Sequence, residues 1–209
     1  MTVIGEMATR SLFVTRLYEA PLGDPASLNA DLEDACRMLE AEDRAGQRWA
    51  KEHRYRGYTS YASLDDLPRR VTAFAQLKKR LDKHAAAFAK DLRLDLGGRK
   101  LVLDSLWVNV LKPGGAHSGH IHPHSVLSGT CYVAVPSGAS ALKLEDPRLP
   151  LMMAAPPREA DAPEEARTFV YVDPQPGTVL LWESWLRHEV PANGAKSDRI
   201  SISFNYAWR

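Results

Sequence analysis

The spacing of apolar residues changes near residue 100, and this change divides the chain into two parts. In the first part apolar residues recur every three or four positions, as on one face of an amphipathic helix. This pattern predicts a helix over about 25–45, with Asp24 as its N-cap, and a second helix from about 65 to Gly97. A short strand is predicted ahead of both helices, at 12–17. The first part is therefore expected to be mainly helical.

In the second part the period becomes two, and turn residues recur at short intervals. Short alternating runs separated by turns are typical of an antiparallel β-sandwich or barrel. The predicted strands lie near 101–111, 118–122, 128–135, 140–145, 168–172, 178–183, 186–190 and 199–207. The segment 150–166, rich in Ala, Pro and acids, is predicted to be a long loop that could form a lid. We expect one domain over 1–209, with a helical extension (1–99) and a β core (100–209).

Composition narrows the range of functions. The chain has 209 residues, with 27 Lys and Arg against 26 Asp and Glu, a formal net charge of +1. This balance argues against binding to nucleic acid or an anionic membrane surface. No long apolar run or secretory signal is evident, so we expect a cytoplasmic protein. Cys36 and Cys131 are the only cysteines and are predicted to be buried thiols.

Four of the seven histidines fall within eight residues, at His117, His120, His122 and His124. Alternate residues of a strand share a face, so His120 and His122 could offer two imidazoles to one metal ion. Pro123 is expected to end the strand, because it cannot donate to a sheet. The alternative interpretation is that these are surface or core histidines that bind no metal.

The last predicted strand has one apolar and one polar face. Ile200, Ile202, Phe204 and Tyr206 alternate with Arg199, Ser201, Ser203 and Asn205. The polar face either meets solvent or lines a pocket for a polar ligand. His188 and Arg199 are expected on neighbouring strands, so the guanidinium could reach a carboxylate whose other end is on the metal.

Further candidates lie on the other predicted strands. Ser128, Thr130 and Tyr132 form a polar row, and a Tyr hydroxyl beside Arg199 suits a carboxylate, although a packed aromatic is the alternative. Three tryptophans could wall the pocket or serve as core aromatics. These are Trp107, Trp182 and Trp185.

Several motifs together resemble a known family. They are Trp107-Val-Asn109, His120-Ile-His122-Pro123, Ser128-Gly-Thr-Cys-Tyr-Val133, Glu145-Asp-Pro-Arg148, Ser184-Trp-Leu-Arg-His188 and Arg199-Ile-Ser-Ile-Ser-Phe-Asn205. The sequence resembles the iron(II)- and 2-oxoglutarate-dependent dioxygenases, most closely a bacterial and phage subgroup. The resemblance implies a mainly β (α+β) fold, a cupin-like double-stranded β-helix or jelly roll with an N-terminal helical extension. The segment 57–64, GYTSYASL, is similar to one in that subgroup.

The resemblance also implies roles for residues. His120 and His188 would be iron ligands, and Arg199 would bind the far carboxylate of 2-oxoglutarate, helped by Tyr132. Ser201, Asn109 and Ser128 are further candidates for binding this cofactor.

One position departs from the pattern of the wider superfamily. His122 stands where that superfamily has an acid, so the triad would be three neutral imidazoles. Asp146 or Glu145 could instead supply the missing carboxylate, and His117 and His124 are weaker stand-ins.

The function implied is oxidative decarboxylation of 2-oxoglutarate coupled to hydroxylation of a small molecule or peptide, with iron(II) and dioxygen. Two alternatives remain open: a non-catalytic module that binds metal or a small acid, and a three-histidine cupin-type dioxygenase that needs no 2-oxo acid. A homodimer could form if the edge of the amino-terminal strand pairs between two copies.

Overall fold

The computed structural model describes residues 9–23 and 25–209. It contains four α-helices, ten strands and two short 3-10 turns at Leu149–Leu151 and Glu164–Ala166. The helices are α1 (Pro25–Glu42), α2 (Arg44–Glu52), α3 (Leu67–Arg70) and α4 (Thr72–Asp91). The strands are β1 (Tyr18–Pro21), β2 (Gly57–Thr59), β3 (Leu101–Leu111), β4 (His117–His120), β5 (Leu127–Ala134), β6 (Leu142–Glu145), β7 (Phe169–Val172), β8 (Thr178–Glu183), β9 (His188–Val190) and β10 (Arg199–Trp208).

All strands pair antiparallel in two sheets. The larger sheet has the order β1-β8-β5-β10-β3-β2, and the smaller has the order β4-β9-β6-β7. Together they form a jelly roll, the double-stranded β-helix expected for the second part of the chain. The eight strands predicted there are all present, with ends shifted by a few residues. The additional strand β2 extends the larger sheet along β3.

The helical part differs from the prediction in its boundaries. The helix expected over 25–45 ends at Glu42, because the side chain of Asp43 accepts hydrogen bonds from the backbone N–H groups of Ala45 and Gly46 and starts α2. The second predicted helix is divided into α3 and α4 and ends at Asp91. Asp24, the predicted N-cap, lies outside the described residues.

The strand predicted at 12–17 is wrong. Leu12, Phe13 and Val14 are exposed, and Phe13 has a φ of 56°, which interrupts an extended backbone. The strand instead begins at Tyr18, where the chain pairs with β8 at one edge of the larger sheet.

The expected pairing of His188 and Arg199 on neighbouring strands is also wrong. β9 belongs to the smaller sheet and β10 to the larger one, because the connection at 191–198 crosses between them. The two side chains therefore approach a common cavity from opposite sheets.

The main core lies between the helices and the outer face of the larger sheet. Phe74 and Leu81 of α4 belong to one buried cluster with Ile202 and Phe204 of β10. This cluster fixes the orientation of β10, because packing its apolar face on the helices turns its polar face inward. No helix in the described ranges is long and apolar enough to cross a membrane.

Candidate functional site

A cavity of about 570 Å³ lies on the inner side of the larger sheet, and we call it the histidine cavity. The polar face of β10 lines it with Arg199, Ser201, Ser203 and Asn205. Of the two interpretations of this face, a wall facing solvent and a pocket lining, the structure therefore supports the second. The lining residues include no Asp or Glu, so Arg199 is the one side chain there with a fixed charge.

His120, His122 and His188 come together at one end of this cavity, and their candidate ligand atoms lie within 4.8 Å of one another. His120 and His188 are direct cross-strand partners on β4 and β9. His122 lies beyond the end of β4, so it does not share a strand face with His120 as expected. Its backbone N–H instead donates to the carbonyl of Ser184, 3.0 Å away.

Each of the three imidazoles uses Nδ1 in a hydrogen bond. The acceptors are the Ser118 carbonyl for His120 (2.6 Å), Oδ1 of Asn205 for His122 (2.6 Å) and the Leu186 carbonyl for His188 (2.8 Å). Because these oxygens only accept, Nδ1 carries the proton and Nε2 keeps its lone pair for a metal.

Burial keeps two of these rings neutral. Burial, against the opposing hydrogen bond to the Leu186 carbonyl and together with the neighbouring His120, His122 and His117, lowers the pKa of His188 to about 3. Burial also lowers the pKa of His122. Neutral imidazoles are the form that binds a metal ion.

The other candidate ligands do not join this group. Asp146 pairs with Arg148 and Glu145 with Arg187, and both acids line a different cavity. His117 lies deeper in the histidine cavity, where its Nε2 is 2.6 Å from the hydroxyl of Tyr55. His124 is exposed on the loop after Pro123.

Arg199 is 2 % exposed and has little to bind within the protein. Its Nη1 donates to Oγ of Ser201 at 3.2 Å, and its Cζ lies 5.0 Å from the centre of the Tyr132 ring. None of the ion pairs among the described residues includes it. Burial lowers the pKa of this guanidinium. A buried positive charge without an acid is costly, so this position suits an anion.

Three buried donors on or behind the cavity wall lack an acceptor within the described structure. They are Nε of Arg199, the hydroxyl of Tyr132 and Nε1 of Trp182. Buried polar groups are normally hydrogen-bonded, so three orphaned donors predict a ligand rich in oxygen acceptors. A dicarboxylic oxo acid meets this requirement, and the imidazole cluster meets the requirement of a ferrous ion for nitrogen ligands.

The remaining predicted binding residues lie nearby, but their polar groups are partly used. Asn109 lines the cavity, accepts from Thr59 and donates to Ser203. Ser201 receives the bond from Arg199. Ser128 lies behind the wall, where its hydroxyl bonds to Ser184 and Asn205.

Aromatic residues also surround the cavity. Trp107 and Trp182 line it, and the Trp182 ring packs edge-on against His188, with ring centres 4.8 Å apart. Trp185, for which a pocket wall and a core aromatic were both open, is 47 % exposed and is not among the residues that line the cavity. Sequence reasoning missed the residues that the helical part contributes, which are Trp49, Tyr55, Thr59 and Tyr61. The motif GYTSYASL at 57–64 was the one signal for Thr59 and Tyr61, and no motif marked Trp49 or Tyr55.

Comparison with protein families gives one match. The family described as "Putative 2OG-Fe(II) oxygenase" matches residues 105–205, which include the three histidines and Arg199. A comparison with curated proteins gives no match.

Solved structures share the fold over most of the chain. A prolyl-4-hydroxylase of Pseudomonas putida has a TM-score of 0.59 and 16 % identity, covering 93 % of this chain and 94 % of its own. A prolyl hydroxylase of Trichoplax adhaerens, in complex with a hypoxia-inducible-factor peptide, has a TM-score of 0.61 and 17 % identity over 92 % and 83 %. HygX of Streptomyces hygroscopicus, with nickel and 2-oxoglutarate, has a TM-score of 0.60 and 16 % identity over 92 % and 82 %.

Proposed function

We propose that the chain is a 2OG-Fe(II) oxygenase, the family whose model matches residues 105–205, and that the histidine cavity is its active site. The enzyme uses ferrous iron and 2-oxoglutarate. We assign iron ligation to His120, His122 and His188, and the grip on the far carboxylate of 2-oxoglutarate to Arg199. The observation that carries this assignment is a buried, unpaired guanidinium in the same cavity as three converging imidazoles.

The imidazole end of the cavity supports the metal assignment. Three imidazole nitrogens converge, and each ring is held in one tautomer by a backbone or amide oxygen. Bound iron supplies the redox chemistry by which dioxygen oxidises 2-oxoglutarate to succinate and carbon dioxide while one oxygen atom enters the substrate. A facial set of three protein ligands leaves adjacent positions open for these reactants.

The guanidinium end supports the cofactor assignment. Arg199 cannot lose its charge, and a carboxylate can accept from Nε and both terminal nitrogens. Tyr132 lies against the guanidinium and has a free hydroxyl that can donate to the same carboxylate. We also assign supporting contacts with 2-oxoglutarate to Ser201 and Asn109, and an indirect role to Ser128 through Asn205.

The walls of the cavity supply the remaining requirement, the exclusion of water. Trp182 packs against His188, and Trp107 lies 5.8 Å from His122 between ring centres. Family members act on small molecules or peptides, and we propose that the substrate reaches the iron past Tyr61, which is 64 % exposed at the rim.

Turnover tests the proposal directly. Purified protein with Fe(II), 2-oxoglutarate and dioxygen is expected to form succinate, slowly without a substrate and faster with one. Omission of any of the three components is the control. No succinate above the level of the protein-free mixture, across a broad substrate panel, would instead support the non-catalytic module.

The three-histidine set favours one other candidate, a cupin-type dioxygenase without 2-oxoglutarate. That enzyme binds no 2-oxoglutarate carboxylate for Arg199 to pair with, so its activity would be retained in Arg199→Ala. The proposed oxygenase would lose most of its activity with the same substitution.

We further propose that the chain is a single domain and acts in the cytoplasm, a reducing compartment that suits its two free cysteines. The helices share one core with the larger sheet, which supports the single domain. A homodimer through the free edge of β1 is a further proposal, and sedimentation analysis tests it. We also propose that the chain belongs to the bacterial and phage subgroup and has no nucleic-acid partner.

A further inference from the structure

His122 differs from the other two histidines in what holds it. His120 and His188 lie on paired strands, so the hydrogen bonds of the smaller sheet fix their backbones. His122 lies after β4 ends, and its neighbour Ile121 is 44 % exposed. The position of this third imidazole must therefore be set by contacts outside its own sheet.

Asn205 provides the contact with the ring of His122. Its Oδ1 lies 2.6 Å from Nδ1 of His122, so the ring's other nitrogen, Nε2, is not engaged by this bond. Asn205 is 8 % exposed and lies on β10 of the opposite sheet. The bond therefore joins the end of the smaller sheet to the larger one across the cavity.

The amide of Asn205 is itself fixed from both sides. Its direct partners on the neighbouring strands are Ser105 of β3 and Ser128 of β5. Nδ2 donates to Oγ of Ser105 at 3.0 Å, and Oγ of Ser128 donates to Oδ1 at 2.8 Å. An amide held by two strands cannot rotate to offer its N–H to the ring, so it fixes the orientation of the acceptor.

Ser184 closes the network around His122. Its backbone carbonyl accepts from the N–H of His122, and its hydroxyl lies 2.8 Å from that of Ser128. The backbone and the ring of His122 are thus tied to the same group of buried polar residues.

We propose that Asn205 is a positioning residue that holds His122 as the third iron ligand, with Nδ1 protonated and Nε2 directed at the metal. This inference rests on the proposed iron site and deepens it. It explains how a histidine outside any strand can act where the wider superfamily has an acid. Asn205 is neutral, so it positions the imidazole without restoring the missing negative charge.

The test is an anaerobic titration with Co(II), followed by visible absorption, of four full-length proteins without 2-oxoglutarate. They are the wild type, Asn205→Leu, Asn205→Asp and the control Ser203→Ala. Leu removes the acceptor at similar size, whereas Asp keeps an oxygen in the same place. Ser203 lies on the same face of β10 but bonds to Asn109 and to none of the three histidines.

We expect Asn205→Leu to weaken Co(II) binding by about 10–100-fold, the usual cost of losing the partner of a ligating imidazole. Asn205→Asp is expected to bind within a few-fold of the wild type, and Ser203→Ala like the wild type. A folded Asn205→Leu protein that binds Co(II) as tightly as the wild type overturns the inference alone. A wild type that binds no Co(II) overturns the proposed iron site as well.

Because Leu in a polar network can unfold the protein, a second measurement uses the wild type only. Nitrogen-15 NMR of the metal-free protein, labelled at histidine, reports which ring nitrogen carries the proton. We expect His122 in the Nδ1–H form, assigned by the loss of its signals in His122→Gln. The Nε2–H form would contradict the proposal.

Discussion

Two cavities of similar size differ in how their charged groups are satisfied. The histidine cavity measures about 570 Å³ and contains a guanidinium without an acid. The second cavity measures about 490 Å³ and lies between residues 10–17 and the smaller sheet. Of its four acids, Glu145 and Asp146 pair with arginines, and Glu164 and Glu165 are exposed to solvent. We therefore take a buried charge without a partner, rather than cavity volume, as the mark of the proposed binding site.

The largest effect is expected from removing an iron ligand. His188→Ala deletes one of three protein ligands, so iron binding should fall by more than the roughly 100-fold typical of an outer partner. The matched change in the second cavity, Asp146→Ala, should leave iron binding intact, because Asp146 bonds to Arg148. Anaerobic metal analysis of the two purified variants measures this. Loss of iron in Asp146→Ala would identify that carboxylate as a ligand.

The next largest effect is expected on the affinity for 2-oxoglutarate, and it distinguishes Arg199 from Arg148 of the second cavity. Arg199→Ala should weaken 2-oxoglutarate binding by about 10–150-fold, because a hydrogen bond to a charged group contributes roughly 1.5–3 kcal/mol. Arg148→Ala, which removes a guanidinium that is already paired, should leave binding unchanged. The apparent KM for 2-oxoglutarate distinguishes the variants. Equal values for Arg199→Ala and the wild type would contradict the assignment of Arg199, and activity that needs no 2-oxoglutarate would favour the cupin-type dioxygenase.

The histidine cavity should also make the metal-free protein sensitive to acid. Burial, then Arg199 and His120, lower the pKa of His117 to about 4, below the roughly 6.5 of an unfolded chain. Between these values the unfolded state binds the extra proton, so stability falls as the pH falls from about 6.5 to 4.

Urea unfolding of the metal-free protein over this pH range measures the effect. His117→Gln should reduce the slope by up to about 1.4 kcal/mol per pH unit. His124→Asn, at an exposed position, is the control and should leave the slope unchanged. An unaltered slope in His117→Gln would show that this imidazole titrates alike in both states.

The smallest effect is expected from Tyr132→Phe, which removes one hydroxyl and keeps the ring beneath Arg199. A neutral hydrogen bond contributes about 0.5–1.5 kcal/mol, so 2-oxoglutarate binding should weaken by about 2–12-fold. Isothermal titration of the metal-loaded variant measures the change. Unchanged or tighter binding of 2-oxoglutarate would contradict the assignment of a hydrogen bond from the Tyr132 hydroxyl to the cofactor.

The β core could be predicted from sequence because its pattern is local. In β10 the alternation of Ile200 and Ile202 with Ser201 and Ser203 fixes which face packs on the helices. The motif resemblance then identified His120, His188 and Arg199 as candidates for the site.

Long-range contacts could not be predicted from local patterns. The break at Asp43 depends on Tyr58 and Ser63, whose hydroxyls donate to its carboxylate from distant positions. The crossing of the chain between β9 and β10 gives no periodic signal either. The contact between Asn205 and His122 joins residues 83 positions apart on opposite sides of the cavity, so no local pattern indicates it.

An anaerobic titration of the Fe(II)-loaded wild type with 2-oxoglutarate tests the central claim most directly. If three imidazoles hold the iron and Arg199 holds the cofactor, a visible charge-transfer absorption should rise and saturate at one 2-oxoglutarate per protein. An absorption no different from that of Fe(II) and 2-oxoglutarate without protein would contradict the account.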